Sequence, residues 1–135
     1  MPDPRLIANF RTDARGVPKF KDRGRRRHYK IVIEVENPPK DTYAATFSLD
    51  PSYYDSLREI TPDEAGAIRL AISSYGDYAV AVKLRTSKGV IELNQSLARS
   101  LREGIRRSPA LTVAGGDTGS SDDAVADALD YIARH

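Results

Sequence analysis

The sequence predicts a mainly β domain of antiparallel strands followed by one or two C-terminal helices, and three observations support this. Five short segments between residues 29 and 93 alternate apolar and polar side chains, the pattern of a half-buried strand. Proline and glycine lie between these segments, where they end strands and form turns. From Leu93 onward leucine or isoleucine recurs every fourth residue, which indicates a helix.

The alternation is clearest from Tyr78 to Arg85, where every second residue is apolar. A turn ending at Gly89 then leads into an antiparallel partner strand. The other predicted strands cover residues 29–35, 43–49, 67–72 and 90–93. Thr61 is suited to cap the N-terminus of a helix, and Pro62 to occupy its first position. We therefore expect one helical turn before the third strand.

Two helical segments are expected after the last strand. Residues 94–114 form a helix that begins near Asn94, followed by a short segment after Pro109. Glycine and serine at 115–121 predict a flexible linker, and 122–135 a second helix. The apolar stripe of that helix must pack either on its own domain or on a partner protein, and it consists of Val125, Ala128, Leu129 and Ile132.

Residues 1–28 form a basic N-terminal segment without a sustained period. One interpretation is a solvated, mobile arm. Another is a patch that binds the phosphates of nucleic acid through Arg23, Arg25, Arg26 and Arg27. The apolar pieces Leu6-Ile7 and Phe10 would also allow this segment to add an edge strand to the sheet.

The composition argues against catalysis and against metal or cofactor binding. With 135 residues the chain has room for about one domain, and it contains no cysteine, which excludes disulfides and thiol chemistry. The histidines, His28 and His135, have no surroundings that suggest a nucleophile or a metal site. The aspartates after residue 116 lack the spacing of a calcium loop. We therefore expect no enzyme, no metal and no cofactor.

A membrane location is not expected either. No apolar run approaches the roughly 20 residues that a membrane-spanning helix needs. The residues after Met1 also lack the apolar core of a signal peptide. The sequence therefore predicts a cytoplasmic protein.

Tyrosine is the most abundant aromatic residue, and four tyrosines lie in two short segments that border strands. Tyr53 and Tyr54 follow the second strand, and Tyr75 and Tyr78 precede the fourth. Such residues either frame a groove for an apolar or cationic ligand or cap the core with the hydroxyl group in water. The pattern alone leaves both alternatives open.

The order of these segments resembles the YEATS family in its prokaryotic form (pYEATS). Leu49-Asp50-Pro51-Ser52-Tyr53 is similar to the family's first motif, in which a strand ends Leu-His-x-Ser-Phe. Ser74-Tyr75-Gly76-Asp77-Tyr78 is similar to the second, Gly-Trp-Gly-Glu-Phe or Gly-Tyr-x-Gly-Phe. The likeness spans residues 29–93. It implies an immunoglobulin-like sandwich of two antiparallel β-sheets.

The resemblance also implies an acyl-lysine channel between aromatic side chains. Tyr53 and Tyr75 take the positions of the sandwiching pair, with Tyr78 as the floor of the channel. Ser52 takes the position of a hydroxyl group near the ligand amide.

Two further positions complete the implied site. The backbone N–H of Tyr75 or of Gly76 is expected to donate to the acyl carbonyl. Asp50 stands where the family has histidine, so a carboxylate replaces a ligand-facing imidazole.

The leading hypothesis is therefore a non-catalytic recognition or sensor module in a bacterial signalling or defence system. Its partner is an acylated-lysine-like or other apolar or aromatic ligand, or a peptide that carries one. The alternatives are a nucleic-acid-associated protein that uses the arginine-rich N-terminal segment, and an interaction subunit whose C-terminal helix docks on another chain.

Overall fold

The structure, a computed structural model, describes residues 3–51, 56–107 and 119–134. Within these residues two four-stranded antiparallel sheets are followed by two helices, which confirms the predicted fold class. The strands are β1 (Arg5–Phe10), β2 (Phe20–Arg23), β3 (Arg26–Glu36), β4 (Thr42–Ser48), β5 (Leu57–Ile60), β6 (Arg69–Ser74), β7 (Ala79–Thr86) and β8 (Gly89–Ser96). The helices are α1 (Leu97–Arg107) and α2 (Gly119–Arg134).

The first sheet is organised around the long strand β3. β6 pairs with it, with Tyr29 opposite Ser74. β1 and β2 follow one another along the other edge, because the N–H and C=O of Lys30 bond to Lys19 and Arg11 respectively. A tight turn that contains Gly24, with a positive φ of 66°, joins β2 to β3.

The second sheet has the strand order β5-β4-β7-β8. Its inner face packs against that of the first sheet, with Phe47, Val82 and Leu84 inaccessible to solvent on one side and Ile31 and Ile33 on the other. These residues occupy alternate strand positions, so the hydrophobic pattern of the sequence determines which face of each sheet is buried.

The basic N-terminal segment is part of the sandwich. Residues 5–10 form β1, an edge strand of the kind that the apolar residues of this segment suggested. Residues 20–23 form β2. Leu6, Ala8 and Phe10 belong to the core. Burial of these side chains offsets the entropy of ordering a segment that is otherwise rich in charge.

Two local predictions are wrong. The helical turn expected at Thr61 is a loop, in which the Oδ1 atom of Asp63 accepts hydrogen bonds from the N–H groups of Ala65 and Ala67, each at 2.9 Å. The helix expected from Asn94 begins at Leu97, because β8 remains paired with β7 as far as Ser96. Ser96 then caps the helix, since its Oγ atom accepts from the N–H of Arg99.

Helix α1 covers the free edge of β1. The side-chain amide of Gln95 donates to the carbonyl of Leu6 at 2.9 Å and to Ser100 Oγ at 2.8 Å. One helical turn after Ser100, Gly104 of α1 lies so close to β1 that a Cβ atom there would be 1.9 Å from the carbonyl oxygen of Ala8. The helix thus protects an edge strand that would otherwise present unpaired backbone groups.

Helix α2 packs on its own domain. Ala128 and Ile132 are buried in the core, and Val125 and Leu129 pack against it. The hydroxyl oxygen of Tyr131 accepts a hydrogen bond from the backbone N–H of Arg27 at 2.9 Å. The predicted apolar stripe is therefore covered by the chain itself.

Two details concern the C-terminal part of the chain. Residues 115–118 of the expected linker lie outside the described residues, and α2 begins at Gly119. In the described part of the chain, no helix combines the length and the apolarity needed to cross a bilayer.

Candidate ligand-binding cleft

An open cleft of about 820 Å³ lies where the loop after β4 approaches the loop between β6 and β7. Asp50, Tyr75, Gly76 and Tyr78 line it, so four of the six residues suggested by the sequence meet at one place. The other two, Ser52 and Tyr53, lie outside the described residues. The cleft is large enough for a long side chain together with part of the backbone that carries it.

The loop between β6 and β7 is held by its own hydrogen bonds. The buried Ser74 Oγ donates to the carbonyl of Gly76 at 2.7 Å, and the N–H of Gly76 points back at the same hydroxyl at 3.3 Å. A ligand carbonyl would therefore compete with Ser74 for the N–H of Gly76. The N–H of Tyr75 is the other donor that the resemblance implies.

The same loop is tied to helix α1 through Asp77. Its Oδ1 atom accepts a hydrogen bond from the N–H of Ala98 at 2.9 Å, and the N–H of Leu97 donates to the carbonyl of Tyr78 at 2.8 Å. Asp77 thus satisfies a free N–H group of the first helical turn. Sequence analysis missed this role, because Asp77 and Ala98 come together only when β7 and β8 pair.

Tyr75 lies against the hairpin formed by β2 and β3. The guanidinium carbon of Arg26 is 4.3 Å from the centroid of the Tyr75 ring, within the range of a cation–π contact. The ring of His28 is 5.3 Å from it, centroid to centroid. Arg26 and His28 occupy alternate positions of β3, on the face opposite the buried Tyr29, which brings both to the same side as Tyr75.

Positive charge affects the titration of His28. Partial burial lowers the pKa of His28 below its ordinary value of 6.5, and the neighbouring Arg23 and Arg26 lower it further. His28 is therefore neutral near pH 7.

Tyr78 and Asp50 also line the cleft. Tyr78 is half-buried and packs against the hydrophobic core. Asp50 is also half-buried, directly after β4. The cleft therefore combines aromatic surface with a carboxylate that can accept a hydrogen bond from a ligand N–H group.

A group of basic residues along one side of the cleft was not anticipated as part of the site. We call it the basic wall, and it comprises Arg11, Lys21, Arg23 and Lys30. Lys21 and Arg23 lie opposite His28 and Arg26 in the hairpin. Arg58 of β5 also lines the cleft. The sequence contains these residues in separate segments, and strand pairing brings them together.

Of the four arginines suggested as a nucleic-acid patch, Arg27 lies on the other face of the hairpin from Arg23 and Arg26. Arg23 lines the cleft, Arg25 is in the hairpin turn, and Arg26 lies over Tyr75. Arg27 is on the opposite face, with its guanidinium carbon 4.9 Å from the ring centroid of Phe20. Alternation along β3 separates Arg26 from Arg27.

Within the residues that the structure describes, no group of three or more histidine, aspartate and glutamate side chains is arranged to hold a metal ion. The cleft offers a ligand aromatic, hydrogen-bonding and electrostatic contacts.

Comparisons with known proteins identify the family. No curated protein matches this sequence. Among solved structures, the chain is similar to one described as the Yaf9 YEATS domain recognizing an H3K122suc peptide, with 15% identity, a TM-score of 0.50 and 76% of each chain covered. The family model of the prokaryotic YEATS domain matches residues 27–98, more than half of the chain. The chain belongs to the prokaryotic YEATS domain family.

Proposed function

We propose that this domain is a non-catalytic recognition module that binds an acylated lysine side chain of a peptide in the cleft. The observation that carries the proposal is the meeting of Asp50, Tyr75, Gly76 and Tyr78 at one cleft, because these residues come from the two motifs that resemble the YEATS family. A structurally similar domain is described as recognizing a peptide with a modified lysine. Both support a peptide ligand rather than a small-molecule substrate.

The chemistry of the cleft fits an acyl amide. The ring of Tyr75 offers a flat surface for stacking, and a ring contact of this kind contributes about 1 kcal/mol. Asp50 can accept a hydrogen bond from the amide N–H, and the N–H of Tyr75 or Gly76 can donate to the carbonyl. An unmodified lysine would bring a charged ammonium group into a cleft that already carries several cations.

Ligand entry requires Arg26 to move or to share the ring of Tyr75. The guanidinium carbon of Arg26 lies 4.3 Å from the centroid of the Tyr75 ring. An exposed cation–π contact contributes about 0.5–1 kcal/mol, so displacing it costs little. We therefore expect Arg26 to leave the ring, or to stack on the outer side of the bound amide.

We place this recognition in the bacterial cytoplasm, in a signalling or defence system. The support is the prokaryotic branch of the family to which the chain belongs. Fractionation of producing cells tests the location, and recovery of the protein in the membrane or secreted fraction would contradict it.

A titration of the isotope-labelled protein with acetyl-lysine, crotonyl-lysine and unmodified lysine peptides tests the proposal. We expect saturable binding of the acylated peptides, with NMR shift changes at Tyr75, Gly76 and Tyr78. Tyr75→Ala should abolish the binding and change the free energy of unfolding by less than about 1 kcal/mol. Tyr43→Ala is the matched control, because Tyr43 is an exposed tyrosine on β4 that does not line the cleft.

Two results would contradict the proposal. Equal binding of unmodified and acylated peptides would show that the acyl group is not recognised. Unfolding of Tyr75→Ala would show that this ring stabilises the fold, and the half-buried Tyr75 would then have to be tested as Tyr75→Leu, which keeps apolar volume but removes the aromatic face.

A further inference from the structure

The basic wall carries positive charge that carboxylates of the described residues do not neutralise. Five lysine and arginine side chains line the cleft, against two aspartates. Within the described residues, none of the four members of the wall forms an ion pair with a carboxylate: Arg11, Lys21, Arg23 and Lys30. Like charges held side by side repel one another, so this arrangement stabilises the domain only when something neutralises it.

The two aspartates in the cleft do not provide this neutralisation. Asp77 is engaged with the N–H of Ala98 at the start of α1. Asp50 lies on the other side, at the end of β4. After the larger effect of burial, Arg23 and Arg26 also lower the pKa of the neighbouring His28.

The geometry assigns the wall to a ligand that lies in the cleft. Lys21 and Arg23 project from the face of the β2–β3 hairpin that Arg26 and His28 share, and those two residues contact Tyr75. The wall therefore begins beside the proposed acyl-lysine position and extends away from it along the outer face of the first sheet. Residues that flank a bound lysine in an extended peptide would lie along it.

We propose that the basic wall selects peptides with aspartate or glutamate beside the acylated lysine. The inference rests on the proposed function for the position of the peptide, and it adds the chemical class of sequence that the domain prefers. A peptide is favoured over a nucleic acid because the wall adjoins Tyr75, the ring to which the proposed function assigns the acyl-lysine of a peptide. Arg27, on the opposite face of the hairpin, is also out of reach of a strand lying in the cleft.

Fluorescence anisotropy with labelled peptides tests the inference. The probes are acetyl-lysine peptides whose flanking residues are acidic, neutral or basic, the same peptides without the acetyl group, and a single-stranded RNA oligomer. We expect the acidic acetylated peptide to bind about tenfold more tightly than the neutral one, as two partly exposed charge pairs would give. The difference should disappear as salt rises to about 0.5 M, since screening weakens exposed pairs.

Charge reversal locates the effect. The double variant Lys21→Glu/Arg23→Glu should lose the preference for acidic flanks, and Lys21→Gln/Arg23→Gln should reduce it. Both side chains are exposed, so neither variant removes core packing, and urea denaturation confirms that each folds. Arg102→Glu is the matched control, because Arg102 is an exposed cation on α1 that does not line the cleft.

The outcomes separate the inference from the proposed function. If acetylated peptides bind equally whatever their flanks, the inference is overturned and the proposed function stands. If acidic peptides bind equally with and without the acetyl group, the basic wall is supported and acyl recognition fails. If RNA binds more tightly than every peptide and loses affinity in Lys21→Glu/Arg23→Glu, the basic wall binds phosphates and the inference is wrong.

Discussion

Replacing Gly104 with alanine tests how closely α1 packs on β1. The added Cβ atom would lie 1.9 Å from the carbonyl oxygen of Ala8, 2.8 Å from its carbonyl carbon and 2.9 Å from Oδ1 of Asn9. Two of these atoms belong to the backbone of a paired strand, so they cannot rotate away. The helix must instead move outward by more than about 1 Å to restore van der Waals distance.

The expected loss of stability follows from three contributions. Overpacking at a tight contact costs about 1–3 kcal/mol. Outward movement of the helix also weakens the hydrogen bond from Gln95 of β8 to Ser100 of α1, for about 1 kcal/mol. Alanine opposes this, because it favours a helix by about 1 kcal/mol relative to glycine. We expect a net loss of about 1–3 kcal/mol.

Urea denaturation followed by circular dichroism measures this loss. Arg102→Ala, on the exposed side of the same helix, is the control and should change the free energy of unfolding by less than about 0.5 kcal/mol. Because Asp77 ties the cleft loop to Ala98, Gly104→Ala should also weaken peptide binding. An increase in stability, as expected for an exposed helical glycine, would refute the close packing of α1 on β1.

The remaining predictions concern the β2–β3 hairpin. The pKa of His28 is lower in the folded protein than in the unfolded chain, so the unfolded chain binds more protons as the pH falls below 6.5. The contribution of His28 to the free energy of unfolding is therefore fully present above pH 6.5 and is lost as the solution is acidified. Urea denaturation at several pH values should show a steeper acid decrease for the native protein than for His28→Gln, and identical pH profiles would contradict this. Tyr131→Phe removes the acceptor of the Arg27 N–H and should cost about 0.5–1.5 kcal/mol while keeping the ring contact with Tyr29. Hydrogen exchange at the Arg27 amide should accelerate, and unchanged exchange there would argue against the bond.

The strands that could be predicted from the sequence are those with one buried and one exposed face. β3, β6 and β7 show this alternation in the structure, and β4 shows it from Ala45 onward. β2 has all four residues exposed, and β5 begins with Leu57, which is 61% exposed, so neither has an apolar period to detect. In β1, Leu6, Ile7 and Ala8 are buried consecutively, which hides the period of two.

The end of β8 was misplaced for a related reason. Leu93 and Leu97 are four residues apart, so a helical stripe continued backward includes a residue that belongs to the strand. Local periodicity cannot distinguish the strand residue Leu93 from the helix residue Leu97. Leu93 lies opposite Val82 in β7, and Leu97 is the buried first residue of α1. Only pairing with β7 determines where the strand stops.

The candidate site likewise contains residues that the sequence predicted and residues that only strand pairing brings together. Asp50, Tyr75, Gly76 and Tyr78 were identified because short motifs keep them at fixed positions next to strand ends. The basic wall was not, since it depends on which strands pair. Arg11 becomes a neighbour of Lys30 because its backbone N–H donates to the Lys30 carbonyl, although nineteen positions separate the two residues in the chain.

These observations indicate that the folded domain is larger than the segment matched by the family model. Residues 27–98 exclude β1, whose Leu6, Ala8 and Phe10 belong to the core, and most of α1, which covers the edge of β1. They also exclude Arg26 and three of the four residues of the basic wall. The matched segment therefore contains the aromatic part of the cleft, whereas most of the basic wall comes from outside that segment. Differences in ligand preference between family members should accordingly follow the N-terminal hairpin more closely than the tyrosine motifs.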